Sequence, residues 1–203
     1  MIYPLIPLII GALLLSIFLY FRVKERRVIA VIFKAGVSLS FIATALVAWL
    51  TSNNPNTSFG IFILIGLFFG LLGDVFLDLK YIILSKEKFY TCLGFIAFAI
   101  GHVFYCLGLF LNFFKFETSI LYIIIPIVFT IIATVATLLM EKFTPIKYKE
   151  MKPFVIMYGM VLFFTVSIYF SSTIQSGWQN TTLILMSIGL VLFAISDLIL
   201  NNT

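Results

Sequence analysis

Long apolar runs separated by short polar breaks organise the whole chain. Seven of these runs reach about 20 residues, the length a helix needs to cross the hydrocarbon core of a bilayer. They fall near residues 3–21, 28–50, 59–79, 89–111, 119–140, 153–172 and 181–200. The third has enough apolar content to run on through "YIIL" to about residue 84. No soluble domain or low-complexity linker fits between the runs. The pattern therefore predicts an all-α, polytopic transmembrane helix bundle, with residues 1–203 forming a single helical domain.

The breaks test the count of helices. "RVKERR" (22–27) holds four Arg and Lys, "KYIILSKEK" (80–88) holds three Lys, and "EKFTPIKYKEMK" (141–152) holds four. These are the first, third and fifth connections. The second and sixth, "TSNNPNTS" and "TIQSGWQN", carry no basic residue, and the fourth, "NFFKFETS", carries Lys115 alone. Basic residues concentrate in cytosolic connections, so the odd-numbered loops are expected inside and the N-terminus outside. A miscounted helix would have scrambled this alternation. The first run lacks a basic region before it and a small-residue cleavage site after it, so it reads as a retained span rather than a signal peptide.

Composition agrees with the pattern. The chain is 63% hydrophobic and 10% charged, which cannot clothe a soluble surface. Its net charge of +5 reports orientation, not nucleic-acid binding. Cys92 and Cys106 share one run, roughly 21 Å apart along a helix, which is too far for a disulfide within the chain. His102 is the sole histidine, so no His and Cys set for zinc exists and no metal or cofactor is expected.

Against this background five ionisable residues inside the spans stand out: Lys34, Asp74, Asp78, His102 and Asp197. Each is expensive in hydrocarbon, at about 2.5–3.5 kcal/mol or more, and so is a functional candidate by default. With the expected orientation, Lys34, Asp74, Asp78 and Asp197 all fall in the cytosolic half, and His102 lies nearer the midplane. That convergence from three helices predicts a polar pocket open towards the cytosol. Asp74 and Asp78 are four apart and share a helix face, which Gly66 and Gly70 extend as a small-residue ridge for close packing. Gly94, Gly101 and Gly108 recur every seven residues on the fourth span, beside His102 and Tyr105. Gly189, Phe193 and Asp197 form a third row.

Each candidate also has a structural reading. Asp78 reads as a solvated helix-end charge at the mouth, pairing with Lys80 or a loop lysine. Lys34 reads as a snorkelling side chain. His102 reads as a hydrogen-bonding link between helices, Tyr105 as core packing, and Asp197 as an exposed end. For Asp74 the structural reading is weakest, because it lies deeper and continues the glycine row.

"FKAG" in the second span, "LLGDVFL" in the third, "GHVFY" in the fourth and "FAISDLIL" in the seventh resemble, in order and spacing, the YhhN-like lysoplasmalogenase family. "MYGMVLFF" in the sixth span sits where that family carries a similar tyrosine and methionine stretch. The resemblance implies an integral membrane hydrolase, of a bacterial plasma membrane, that cleaves the vinyl ether of lysoplasmalogens. Its partners would be the lysophospholipid substrate and the bilayer. Motif by motif, the resemblance carries Lys34, Asp74, His102, Tyr105 and Asp197, and it offers no counterpart for Asp78. The family commonly has Pro after the lysine of the second span, where this chain has Ala35. The family also implies eight spans, of which this sequence carries seven.

The residues suit that reaction without a metal. A vinyl ether hydrolyses by protonation at carbon, which generates an oxocarbenium-like cation that water then attacks. A carboxylic acid can supply the proton, and a second carboxylate can stabilise the cation or activate water, as in glycoside hydrolysis. Asp74 and Asp197 are the expected pair, with their individual roles open. Lys34 would hold the substrate phosphate or tune a carboxylate, and His102 and Tyr105 would orient groups by hydrogen bonding. Two rival classes remain: an ion-coupled transporter using buried Asp and Lys, and an assembly protein whose polar residues join helices.

Overall fold

A computed structural model describes residues 3–53, 55–115, 119–143 and 149–200. Seven helices account for most of them: α1 (Leu5–Val23), α2 (Arg27–Leu50), α3 (Thr57–Leu79), α4 (Glu87–Asn112), α5 (Leu121–Phe143), α6 (Lys152–Gln175) and α7 (Thr181–Leu200). Short 3-10 turns at Leu84–Lys86 and Lys149–Met151 precede α4 and α6, and no strand occurs among the described residues. Each of the seven is long and apolar enough to cross a membrane. Mid-helix side chains such as Ile32, Ile132 and Leu192 are 62–65% exposed. A surface of this kind requires lipid around it, since apolar area left in water opposes folding.

The third helix does not run through "YIIL". It ends at Leu79, where the Tyr81 and Ile82 amides donate to the carbonyls of Asp78 and Leu79. The carbonyl of Tyr81 then accepts from the Arg27 guanidinium at 2.9 Å. A tertiary bond from the start of α2 therefore replaces the helical continuation that composition favours. At the end of α1, Glu25 takes a left-handed conformation, φ 55°. The Glu25 and Arg26 amides donate back to Arg22 and Phe21, a Schellman closure that usually employs glycine.

The chain forms two compact units, one ending at Gly108 and the other beginning at Leu109. In the first, α2 packs against α1 and α3, with Ser40 against Gly11 and Trp49 against Gly60. The α3–α4 seam is built on glycine. A Cβ at Gly101 would lie 2.8 Å from the Gly66 carbonyl oxygen, and one at Gly73 would lie 2.7 Å from the Phe98 ring. Phe62, Gly66, Phe69, Gly73 and Leu77 of α3 meet Gly94, Phe98, Gly101, Tyr105 and Gly108 of α4. This spacing of three and four residues is that of left-handed helix pairs.

Gly70 is not part of this seam. It was expected to extend the packing ridge from Gly66, yet a Cβ there would meet nothing within 4 Å. The reason is the seam's period of about 3.5, which runs from Gly66 to Phe69 and Gly73 and leaves Gly70 on the flank. Gly189 likewise has open space, so the row on α7 does not start from a packing contact. Gly101→Ala is accordingly expected to lower thermal stability in detergent by about 1–3 kcal/mol, the usual overpacking cost. Gly70→Ala should be neutral or slightly stabilising. Equal melting temperatures for the two variants would contradict the seam.

In the second unit α6 packs against α5 and α7 and buries residues all round, among them Tyr158, Leu162, Thr165, Ile168, Tyr169 and Thr173. Its hydroxyls hold the neighbours. Thr173 and Ser187 lie 2.9 Å apart, and Ser171 donates to the Tyr122 carbonyl at 2.8 Å. That carbonyl is the one whose helical donor Pro126, lacking an N–H, cannot supply.

Candidate active site

The first unit gathers Lys34, Asp74 and Asp78 towards one end of its helices. On α2, Lys34 and Ser38 are one turn apart and face the same way. Across from them, α3 presents Asp74. The Lys34 ammonium lies 3.3 Å from Asp74 Oδ1, and the Ser38 hydroxyl donates to Asp74 Oδ2 at 2.6 Å. Both carboxylate oxygens are thus held by α2, and the lysine offsets the charge. The Lys34 and Asp74 side chains remain 23% and 26% exposed. The lysine also lies 5.4 Å from the centre of the Phe18 ring on α1.

One turn further, Asp78 behaves differently from a solvated helix-end charge. It is 4% exposed, and its partner is Arg22 of α1, 3.5 Å from Oδ1, rather than Lys80. Its Oδ2 is buried without a hydrogen-bond partner among the described residues. Arg22 also stacks on the Tyr81 ring, 4.0 Å from its centre. The turn that ends α3 brings Tyr81 under Arg22, and this closes Asp78 off from the mouth where the sequence places it.

On α4, His102 is 3% exposed and its ring lies edge-on to Tyr105 at 5.6 Å. The Tyr105 ring covers Gly66 so closely that no Cβ would fit there. The ring therefore stands two turns along α3 from Asp74. In the second unit, Asp197 near the end of α7 accepts a hydrogen bond from the Tyr158 hydroxyl of α6.

Residues 29–202 match the YhhN family across all of α3 to α7 and nearly all of α2. The chain belongs to the YhhN family. No curated protein and no solved structure matches it. Lys34, Asp74, Asp78, His102, Tyr105 and Asp197 all fall within the YhhN match, whereas α1 and Arg22 precede it.

Three residues of this YhhN protein were not singled out by sequence as site candidates. Ser38 had a legible signal, being four residues after Lys34 on the same face. Tyr158 lies in the "MYGMVLFF" stretch, whose tyrosine carries no charge to draw attention. Arg22 reads from sequence as one of four loop charges, and only its placement against Asp78 distinguishes it.

Proposed function

We propose that this YhhN protein is a membrane-embedded hydrolase that cleaves the vinyl ether of lysoplasmalogens by carboxylate acid–base catalysis. The observation that carries this reading is Asp74, held inside a span by Lys34 and Ser38 within the matched segment. Family membership supplies the reaction class. The acid delivers a proton to the β-carbon of the vinyl ether, and the α-carbon becomes an oxocarbenium cation. Water adds there to give a hemiacetal, which collapses to a fatty aldehyde and the glycerophospho-ethanolamine or -choline alcohol. Asp74 takes one carboxylate role, and the family resemblance assigns the other to Asp197, with the order of the two open. The Tyr158 hydroxyl fixes the orientation of the Asp197 carboxylate. The site faces the cytosolic half of the membrane, which the basic loops support, and the family resemblance makes that membrane a bacterial plasma membrane.

The test is aldehyde release from lysoplasmenyl-ethanolamine by the purified protein in detergent. An absence of turnover with accessible lipid would overturn the hydrolase. Tyr158→Phe should keep the fold and lower kcat about tenfold, the loss expected when one charge-assisted hydrogen bond of ~1.5–3 kcal/mol no longer orients the carboxylate. An unchanged kcat would remove Tyr158 from the site.

A lysine–aspartate pair within a span is also the hardware of an ion-coupled carrier, and the Lys34–Asp74 contact favours that as the second reading. Uptake into sealed liposomes without any chemical product would establish it in place of the hydrolase.

A further inference from the structure

The open space at Gly70 lies beside Asp74. At 3.6 residues per turn, Gly70 stands roughly 60° around α3 from the centre of the α4 seam, and Asp74 roughly 100°. The α2 contacts at Asp74 and Gly60 fall on the far side of that arc. Gly70 therefore occupies the notch between α2 and α4, with α3 as its floor. The notch has definite ends. One turn in one direction, about 6 Å away, Lys34 and Ser38 close on Asp74. One turn in the other direction the partly exposed Tyr105 ring lies over Gly66. Gly70 itself is partly exposed, and no side chain fills the position its Cβ would take.

The geometry points to this notch as the seat of the single hydrocarbon chain of the lysolipid, which leaves the reacting vinyl ether at Asp74 and crosses Gly70 towards Tyr105. This inference rests on the hydrolase reading and gives the substrate a direction in it. Three features select this occupant. The polar end holds a carboxylate, an ammonium and a hydroxyl, and beyond it Gly70 leaves open space short of the Tyr105 ring. A chain attached at Asp74 must meet Gly70 within its first few methylenes. The space left by one missing side chain at Gly70 suits one chain rather than the two of a diacyl lipid. Glycine is then required at position 70 for the space its missing side chain leaves, not for helix packing.

The test uses the whole protein in lipid nanodiscs and two pairs of probes. Lysoplasmenyl-ethanolamines with a but-1-enyl and a hexadec-1-enyl chain report turnover. Their saturated butyl and hexadecyl ethers, which lack the double bond that is protonated at carbon, report binding by competition with tritiated hexadecyl ether. A four-carbon chain ends before Gly70, whereas a sixteen-carbon chain passes over it. Gly70→Leu is expected to lower the long-to-short ratio of kcat/KM by about tenfold or more, the order expected when two methylenes lose their burial. The long-to-short ratio of affinities should fall in parallel. Gly70→Ala should move both ratios the same way by about twofold to threefold, and it serves if the leucine variant does not fold. Unchanged ratios in a folded variant would overturn the groove while leaving any aldehyde release intact. If the wild type released no aldehyde yet its binding ratio fell in Gly70→Leu, the groove would stand and the hydrolase would fall.

Discussion

Asp74→Asn should abolish most aldehyde release while leaving a folded protein. Asparagine keeps the shape of the side chain, and its amide can still meet Ser38, which donates to Oδ2 at 2.6 Å in the native protein. What it loses is both a transferable proton and a negative charge. The result therefore does not depend on whether Asp74 is the acid or the group that stabilises the cation. Loss of a general acid or base lowers rates by about 10²–10⁴-fold, and that is the range expected for kcat here. KM should change less, because the proposed chain groove at Gly70 persists. The measurement is steady-state aldehyde release, with unfolding followed on the same preparation. Retention of more than about a third of wild-type kcat in a folded Asp74→Asn protein would remove Asp74 from the chemistry. Lys34→Met is the informative companion. It leaves the carboxylate in a span without its counter-charge, and it should lower both activity and stability.

The second large effect concerns Asp78 and Arg22, and it is an effect on stability. Removing one member of a buried ion pair costs about 3–5 kcal/mol, because the other charge is left in an apolar surrounding. Arg22 is 32% exposed, so water softens the loss, and Arg22→Met should destabilise by about 2–3 kcal/mol. Asp78→Asn should cost less, since it removes the charge that is almost fully buried and leaves the better-solvated one. The double variant Arg22→Met, Asp78→Leu should recover most of what Arg22→Met loses, as apolar replacement of buried pairs often does. Thermal unfolding in detergent gives the order. If Arg22→Met melts like Lys24→Met, a loop charge with no such partner role, then α1 does not secure the end of α3.

The same pair shows where sequence reading reaches its limit. The helices were legible because twenty apolar residues between charged loops admit few alternatives, and all seven lie within four residues of their expected bounds. The contact of Lys34 with Asp74 is consistent with what residue type and depth suggest. The glycines of α4 at 94, 101 and 108 carried their meaning in their period. What was not legible depends on rotation and on partners from distant segments. Gly66 and Gly70 look alike in sequence, yet the seam turns one into a contact and the other into a gap. Asp78 looks like the more exposed aspartate because it is nearer the helix end. A turn at Tyr81 and an arginine from α1 bury it, and neither follows from the apolar pattern around it.

The hydrogen bond from Ser171 to the Tyr122 carbonyl has a consequence for biogenesis. As α5 enters the bilayer alone, Pro126 leaves that carbonyl, in the first turn of the helix, without its helical donor. Ser171 of α6 supplies a donor from within the protein. The two helices therefore complete each other as a hairpin, and α5 reaches its final state in the membrane only after synthesis has passed α6.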